Sequence, residues 1–476
     1  MAGKNFKARY DCVIVGGGIS GLTAAYHLRK RRLDVLVLER AERVGGVIRS
    51  ESQNGFLIDY GPNSTLETSP EIADFVREIG LADDRIYGND SANRRYVLRD
   101  RELRALPMSP PAFLKSNLFS FRAKLRLLRE PFIRPAPPDK EETISEFVER
   151  RLGREFLDYA INPFVAGVYA GDPGRLSVRS AVRKVYQLEE KYGSLIKGQF
   201  KGAKERKKAG RTEKTRARLF SFRKGMSQLT EAIENRLDQS ILTNADVRKV
   251  GRQDDGVFSV EFRRDSQEIA IFSRSLIITT PTYISQSLLQ NFDPEATTAL
   301  QGINYAPVAV VFLGFAKEPD CRPLDGFGFL VPEVERRKIL GCIWSSTIFA
   351  GRAPLSGAAL TVFVGGMRQP ALAALPEPDL QALVLDELGD LMGLHSSPDF
   401  VGFRKWEKAI PQYELGHQGR IEQVEKMEWR YPGLFIGGNF RGGVSVGDCI
   451  LRGGELASNV EKTLIERRAV PQGVED

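Results

Sequence analysis

The first regular pattern in the chain is an apolar run, Cys12-Val-Ile-Val15, followed by three glycines and then by Ile19, Leu22, Ala25 and Leu28 at helical spacing. A run apolar at every position suits a strand buried on both faces of a parallel sheet. A second run, Val35-Leu-Val-Leu38, ends at Glu39. Strand, glycine turn, helix, strand and terminal acid together form the opening unit of a dinucleotide-binding sheet. Further on, Val247 to Phe262, Ala270 to Thr280, Val308 to Phe315 and Ala359 to Val364 have the alternation or β-branched content of strands. Gly433-Leu-Phe-Ile-Gly-Gly-Asn439 is another apolar strand running into a glycine turn, and Arg441-Gly-Gly-Val-Ser-Val446 leads into a helix. This second strand-to-helix turn predicts that the chain returns to the same ligand, so that the nucleotide-binding unit is discontinuous.

Between these segments the pattern changes. From Leu106 to Arg134, Pro107, Pro110 and Pro111 precede Phe113, Leu114, Leu118, Phe119, Phe121, Leu125, Leu127, Leu128 and Phe132, with Lys115, Arg122, Lys124, Arg126 and Arg129 interleaved. This is the composition of an interfacial amphipathic segment, or of a lid packed on the core. Residues 134–138 read as a linker, and Thr143-Ile-Ser-Glu146 as a capping box that opens a helix. Residues 197–218, dominated by Lys, Arg, Gly and Ala, predict a solvated loop. No repeat at solenoid or propeller periods is present.

At 476 residues the chain is long enough for two or three domains at roughly 100–200 residues each. Its 42% hydrophobic and 27% charged residues suit a folded globular protein. No apolar stretch approaches the roughly 20 residues of a membrane span, and the N-terminal residues lack a secretory apolar core, so a cytoplasmic location is expected. The net charge of +8 attracts nucleic acid, anionic membrane or acidic substrate alike. The basic run carries only Phe200 as an aromatic, which argues against nucleic acid. Cys12, Cys321, Cys342 and Cys449 form no CxxC pair, and His27, His395 and His417 are scattered, so neither a disulfide framework nor a metal site is expected. Cys12 and Cys449 read as small buried apolar groups.

The chemistry therefore rests on the glycine turns. Gly16-Gly17-Gly18-Ile19-Ser20-Gly21 permits a tight turn, close backbone approach to a pyrophosphate and close helix packing, while Glu39 can accept from a ribose hydroxyl. FAD and NAD share this fingerprint. The order Arg43-Val-Gly45-Gly46-Val-Ile-Arg49 and then Asp59-Tyr-Gly61-Pro62-Asn63 resembles the flavin amine oxidase superfamily, which implies FAD. Asn162-Pro-Phe-Val-Ala-Gly-Val-Tyr-Ala-Gly-Asp-Pro173, Ser221 to Leu229, Gly326 to Pro332, Phe363 to Gly366 and Gly438 to Val446 resemble, in their order, the protoporphyrinogen oxidases. The resemblance covers residues 10 to about 460. It departs from the usual family pattern at Lys224 and Ala170, where Gly is common.

The resemblance implies an α/β fold: a discontinuous Rossmann-like FAD-binding domain (residues 1–90, 220–290 and 425–476), an α+β substrate-binding domain (91–105 and 291–424) and a helical, membrane-associated insertion (106–219), as in the amine oxidase and p-hydroxybenzoate hydroxylase folds. It implies non-covalent FAD contacted by the 16–21 turn, Glu39, Arg40, Val47, Gly61, Pro62, Asn63, Ser64, Val247, Asn439, Val444, Ser445 and Val446. Arg95 would pair with a porphyrinogen propionate, as guanidinium suits carboxylate. Leu330, Ile343 and Phe363 would sandwich the macrocycle, and the Gly167 carbonyl would lie near the reacting rings. The implied reaction is oxidation of a porphyrinogen by molecular oxygen, with six electrons leaving in three flavin cycles and peroxide as by-product. Protoporphyrinogen IX and coproporphyrinogen III both remain open, as do an amine, a polyene and a non-catalytic carrier. Implied partners are an anionic membrane on its inner face, a second copy of the chain and a ferrochelatase that takes the product.

Overall fold

The structure is a computed structural model that describes Lys7 and residues 9–137, 139–208 and 217–469. Two seven-stranded sheets organise it. In the first, Ile241–Leu242, Val35–Leu38, Arg9–Val15 and the far end of Gln267–Ile278 run parallel, and Leu434–Ile436 adds a parallel partner to the last. The near end of Gln267–Ile278 instead pairs antiparallel with Phe258–Arg264, which pairs with Asp246–Arg252. The segment read as strand from Val247 to Phe262 is thus a hairpin. The Ile19–Lys30 and Val446–Ala469 helices pack on one face, burying Ile14, Leu22, Ala25, Val37 and Leu456. Because connections leave the parallel strands at one edge, Gly16, Glu39, Thr279 and Gly437 all come together there: Gly16 N donates to Leu38 O, Glu39 N to Leu242 O, Thr279 N to Val15 O and Gly437 N to Ile278 O, each at 2.8–2.9 Å.

The second sheet has the spatial order Phe400–Pro411, Tyr305–Phe315, Ala358–Gly365, Ile339–Trp344, Gly328–Leu330, Tyr96–Arg99, Glu102–Ala105. One face packs Val311, Leu313, Trp344, Leu360 and Val362 against Leu380, Val384 and Leu388 of the Glu377–Met392 helix. The opposite face is covered only in part and faces the glycine turns of the first sheet.

The Thr143–Glu146 capping box forms as expected, with Thr143 Oγ1 accepting from Glu146 N and the Glu146 carboxylate accepting from Thr143 N. The loop expected over 197–218 does not form: Leu195–Lys208 is a helix and Arg218–Phe222 a strand, while residues 209–216 lie outside the described residues. The reason is a partner distant in sequence. Buried Glu130 accepts from the free N–H groups of Leu195 (2.8 Å) and Ile196 (3.1 Å) and from Ser194 Oγ (2.6 Å), adding to the local cap in which Ser194 Oγ accepts from Lys197 N at 3.1 Å. Glu130 is in turn paired with fully buried Arg151, which also binds Glu189. The Pro-rich segment before it forms two short helices, Pro110–Lys115 and Phe121–Leu127. No helix among the described residues is long and apolar enough to cross a membrane.

Candidate functional site

At the joined edge of the first sheet, Gly16 adopts φ +107°, a conformation that suits glycine. A Cβ on Gly21 would collide with Gly16 O, so helix and strand meet backbone to backbone. A Cβ on Gly18, by contrast, would meet nothing within 4 Å. Gly18 is the N-cap of the first helix, makes no side-chain cap and has no acid in the turn that follows. The helix therefore points uncapped N–H groups into open space, the arrangement that receives a phosphate. Gly46 (φ +58°) faces Gly18 across this space, with exposed Val47 beside it, and Gly45 N donates to Gly17 O at 2.8 Å. The cradle fits a dinucleotide pyrophosphate. Glu39 holds Gly17 N (2.7 Å) and Ala41 N (2.8 Å) with its two oxygens, which fixes the carboxylate at the lip of the turn. Exposed Arg40 follows it, and Val247 lies at the start of the neighbouring hairpin.

Two further turns converge on the same space. The Gly61-Pro62-Asn63-Ser64 turn is tight enough that a Cβ on Gly61 would collide with Val47 O. Trp406 Nε1, from the second sheet, donates to Tyr60 O at 2.8 Å and anchors this turn to the second sheet. Asn439 and Val444 to Val446 are held by residues that carry no obvious motif. The Tyr413 hydroxyl donates to Asn439 O (2.8 Å) and accepts from Gly443 N (3.0 Å), while its ring stacks on His417 at 4.2 Å. His417 Nε2 bonds Phe440 O at 2.9 Å, and Arg441 pairs with Glu428 and Glu425. Ser445 Oγ accepts from Asp448 N and caps the closing helix. Burial raises the Tyr413 phenol pKa well above its usual value, so it keeps the proton it donates. The same burial depresses the His417 pKa to about 4. Since this lies below the unfolded value, the contribution of neutral His417 to stability is complete above about pH 6.5 and is lost as pH falls through about 4, amounting to at most about 3 kcal/mol. Denaturant titrations of the wild type and His417→Gln between pH 7 and pH 4 are expected to show a flatter acid dependence in the variant.

Leu330, Ile343 and Phe363 stand on three adjacent strands. The register Leu330↔Gly341↔Phe363 and Gly328↔Ile343↔Thr361 puts them on one face, the one turned toward the cradle. Each is half-buried, as befits a cavity wall. Gly167, on the helix Asn162–Tyr169, overhangs this face, and a Cβ there would approach Leu330 Cδ2 to 2.9 Å. Ile343 and Asn63 line a common cleft with Thr361, Ser345, Phe312, Asp59 and Arg352, so the sheet face and the Gly61–Ser64 turn share one cavity. Arg95 stands two residues before Val97, the strand partner of Leu330. Its guanidinium sits over the Phe327 ring at 5.1 Å, and no carboxylate among the described residues pairs with it. It is exposed by area, yet protein on one side desolvates it and lowers its pKa somewhat. Arg94, its neighbour, pairs with Asp325 at 2.6 Å and is not available in the same way.

Sequence reading missed the ion pair beneath the cavity. Arg352 is 1% exposed, its Nε lies 3.4 Å from Asp59 Oδ2, and it donates to Ser221 Oγ and Phe222 O. Burial pushes the Asp59 pKa up, and attraction to Arg352 offsets this in part. Asp59 also accepts from Ser50 Oγ and Met226 N, so one carboxylate joins the cofactor turn to the 218–227 segment. The two departures from the family pattern also find their geometry. Ala170 has φ +46°, which explains why Gly is common there, whereas Lys224 has ordinary backbone and the positive φ falls on Gly225. All four cysteines are free, with Cys12, Cys342 and Cys449 buried and the Cys449 thiol pushed up to about 12 by desolvation.

A cradle for an adenine dinucleotide at the edge of a parallel sheet, opening onto an apolar face of a second sheet, defines a flavoenzyme of the two-domain oxidase kind. The chain belongs to the flavin-containing amine oxidoreductase family, which it matches over residues 19–460. It is 35% identical over 472 residues to protoporphyrinogen oxidase 1, chloroplastic, from Arabidopsis thaliana, covering 94% of this chain and 88% of that one. It is 29% identical over 464 residues to coproporphyrinogen III oxidase from Bacillus subtilis (strain 168), covering 94% and 97%. A solved structure of a protoporphyrinogen oxidase candidate from Exiguobacterium sp. 255-15 superimposes with TM-score 0.79 at 25% identity, over 96% of this chain and 99% of that one. The protein is thus an FAD-dependent oxidoreductase, a flavin oxidase of the tetrapyrrole pathway.

Proposed function

We propose that the protein oxidises protoporphyrinogen IX to protoporphyrin IX with molecular oxygen, the flavin when bound accepting two electrons in each of three cycles and passing them on as peroxide. The observation that supports this reading best is the apolar face of Leu330, Ile343 and Phe363, overhung by Gly167 and neighboured by Arg95, a cation without a carboxylate partner among the described residues. A macrocycle with carboxylates on one edge matches that sequence of contacts. The half-buried side chains exclude water from one side of the ring, Gly167 lets its helix close on Leu330 beside it, and Arg95 fixes which edge faces out. Among the described residues, the strands of this face carry no acid or histidine beside Leu330, Ile343 and Phe363, and the Asp59 carboxylate in the adjoining cleft is engaged by Arg352, Ser50 and Met226, which favours backbone carbonyl or water for proton removal. Arg95→Gln is expected to raise KM by about 10- to 100-fold, the worth of a charge-assisted hydrogen bond, with kcat changed far less.

The decisive experiment mixes the protein with protoporphyrinogen IX without oxygen, follows flavin absorbance, then admits air and records porphyrin fluorescence, with coproporphyrinogen III in parallel. Rapid bleaching followed by fluorescence supports the reading, and faster turnover of coproporphyrinogen would change the substrate. A flavin that stays oxidised with both would discard the porphyrinogen reading in favour of an amine or polyene.

A membrane surface is the further partner proposed. Phe121, Leu125, Leu128 and Phe132 follow helical spacing and are all exposed, Phe132 to 85%, with exposed Leu114 and Phe200 as well. Exposed Lys115, Arg122 and Arg129 could meet anionic headgroups. Lys124 and Arg126 do not fit that role, since Lys124 Nζ is bound to Leu114 O and Ser116 O and Arg126 to Arg150 O. Sedimentation with anionic vesicles that is lost in a Phe121→Ser, Leu128→Ser, Phe132→Ser variant supports this surface; wild-type protein that stays in the supernatant overturns it. A second copy of the chain and a ferrochelatase receiving the product remain proposals on the strength of the family resemblance.

A further inference from the structure

The wall formed by Gly167 is only as well placed as its helix, and Asn162–Tyr169, whose outer side with Phe164 and Val168 is exposed, continues a helical run from Arg154–Phe156 through the π-turn Leu157–Ile161. The π-turn interrupts the regular ladder just before Asn162, so this last segment leans on tertiary contacts. It is gripped at both ends by one turn, Gly365-Gly366-Met367-Arg368, that follows the Phe363 strand. At the C-terminal end, Met367 N donates to Ala170 O at 2.7 Å, and Gly366 lies so close that a Cβ would come within 2.6 Å of the same carbonyl. At the N-terminal end, Arg368 donates to Asn162 O (2.8 Å) and Asn162 Oδ1 (2.6 Å) while its other nitrogen donates to Val331 O at 3.1 Å, just beyond Leu330. Asn162 completes the clasp, its Oδ1 accepting from Glu333 N (2.9 Å) and its Nδ2 donating to Glu333 Oε2 (3.2 Å). The Arg368 side chain is 7% exposed.

We infer that Arg368 is a positioning residue for the reaction: acting through Asn162 and Val331, it holds the Gly167 helix against the Leu330–Phe363 sheet face, where Gly167 packs on Leu330, and so fixes where this joint wall stands relative to the substrate ring. This rests on the proposed reading of that face as the substrate wall. The guanidinium suits the task because its planar fork reaches two segments at once; a lysine ammonium on a flexible stem reaches one and leaves the other free to shift. A shift of about 1 Å in a reacting geometry costs on the order of 100-fold in rate.

The test uses FAD-loaded Arg368→Lys, with Asn162→Ala removing the same clasp from its other side should the first variant fail to retain flavin. Two readouts are taken: kcat and KM for the porphyrinogens, and amide hydrogen exchange across the protein. Retained flavin absorbance, at least tenfold faster exchange confined to residues 162–170 and a kcat/KM lowered about 10- to 100-fold are expected. A purely structural role would leave kcat/KM at the wild-type value in protein that is folded and flavin-loaded, and that result overturns the inference. Were the wild type itself inactive on both porphyrinogens, the functional reading would fall, while exchange in the variants would still uphold or overturn the clasp.

Discussion

Gly18→Val is expected to purify folded but colourless, with flavin absorbance at least tenfold below wild type and no turnover. The backbone at Gly18 is extended (φ −73°, ψ 173°), a conformation that any residue adopts, and nothing lies within 4 Å of the added Cβ. The substitution therefore spares the fold and fills only the space into which the first helix points its free N–H groups. Loss of the pyrophosphate seat removes the cofactor and all redox chemistry with it. Gly21→Ala is the informative contrast. Its methyl would collide with Gly16 O and approach Thr279 Oγ1 to 2.7 Å, so that variant should lose folded protein rather than flavin alone. Absorbance spectra and circular dichroism of the two variants separate an effect on the ligand from one on packing.

Arg352→Ala should destabilise the protein by about 3–5 kcal/mol, the range found when one partner of a buried ion pair is removed. The loss leaves Asp59, 6% exposed, without its cation and leaves Ser221 Oγ and Phe222 O short of a donor. Burial already raises the Asp59 pKa, and removing Arg352 raises it further. A carboxyl whose folded pKa lies above its unfolded value contributes stability at low pH and loses it as pH rises through the folded value, so the variant should recover part of its deficit on mild acidification. Asp59→Leu combined with Arg352→Met is expected to restore part of the stability at neutral pH, because no buried charge is left uncompensated although Met226 N, Ser50 Oγ, Ser221 Oγ and Phe222 O lose a partner. Denaturant melts of the single and double variants at two pH values measure both effects.

The strand and helix patterns were legible wherever the controlling interactions are local. The two glycine turns, the hairpin strands and the Thr143 cap follow from alternation, glycine spacing and a three-residue capping motif. What escaped sequence reading depends on partners far apart in the chain. The Leu195–Lys208 helix looked like a solvated loop because its Lys- and Gly-rich composition hides the Ser194 cap, and Glu130, which completes that cap, belongs to another segment. Tyr413, His417 and Trp406 were not singled out, since an aromatic in a strand or beside a helix carries no sign that it will grip a distant backbone carbonyl. Asp59 and Arg352 look like ordinary charged residues until the fold removes water from both. For Leu330, Ile343, Phe363, Gly167 and Arg95 the family resemblance supplied the positions, and strand register explains why the first three share one face. Arg368 follows the Phe363–Gly366 motif by two residues, so the motif marked its neighbourhood but not its function.

The helices that cradle the dinucleotide come from opposite ends of the sequence, and they touch: a Cβ on Gly453 would meet Thr23 Cβ and Ser20 O at 2.7 Å. On the ribosome, where synthesis proceeds at roughly 5–20 residues per second, the first glycine turn waits until the last helix has emerged before its seat is complete. Flavin capture should therefore follow synthesis of Val446–Ala469, and a nascent chain that stalls before this helix is expected to lose the cofactor. Bound flavin would then report that the two distant helices have closed on each other.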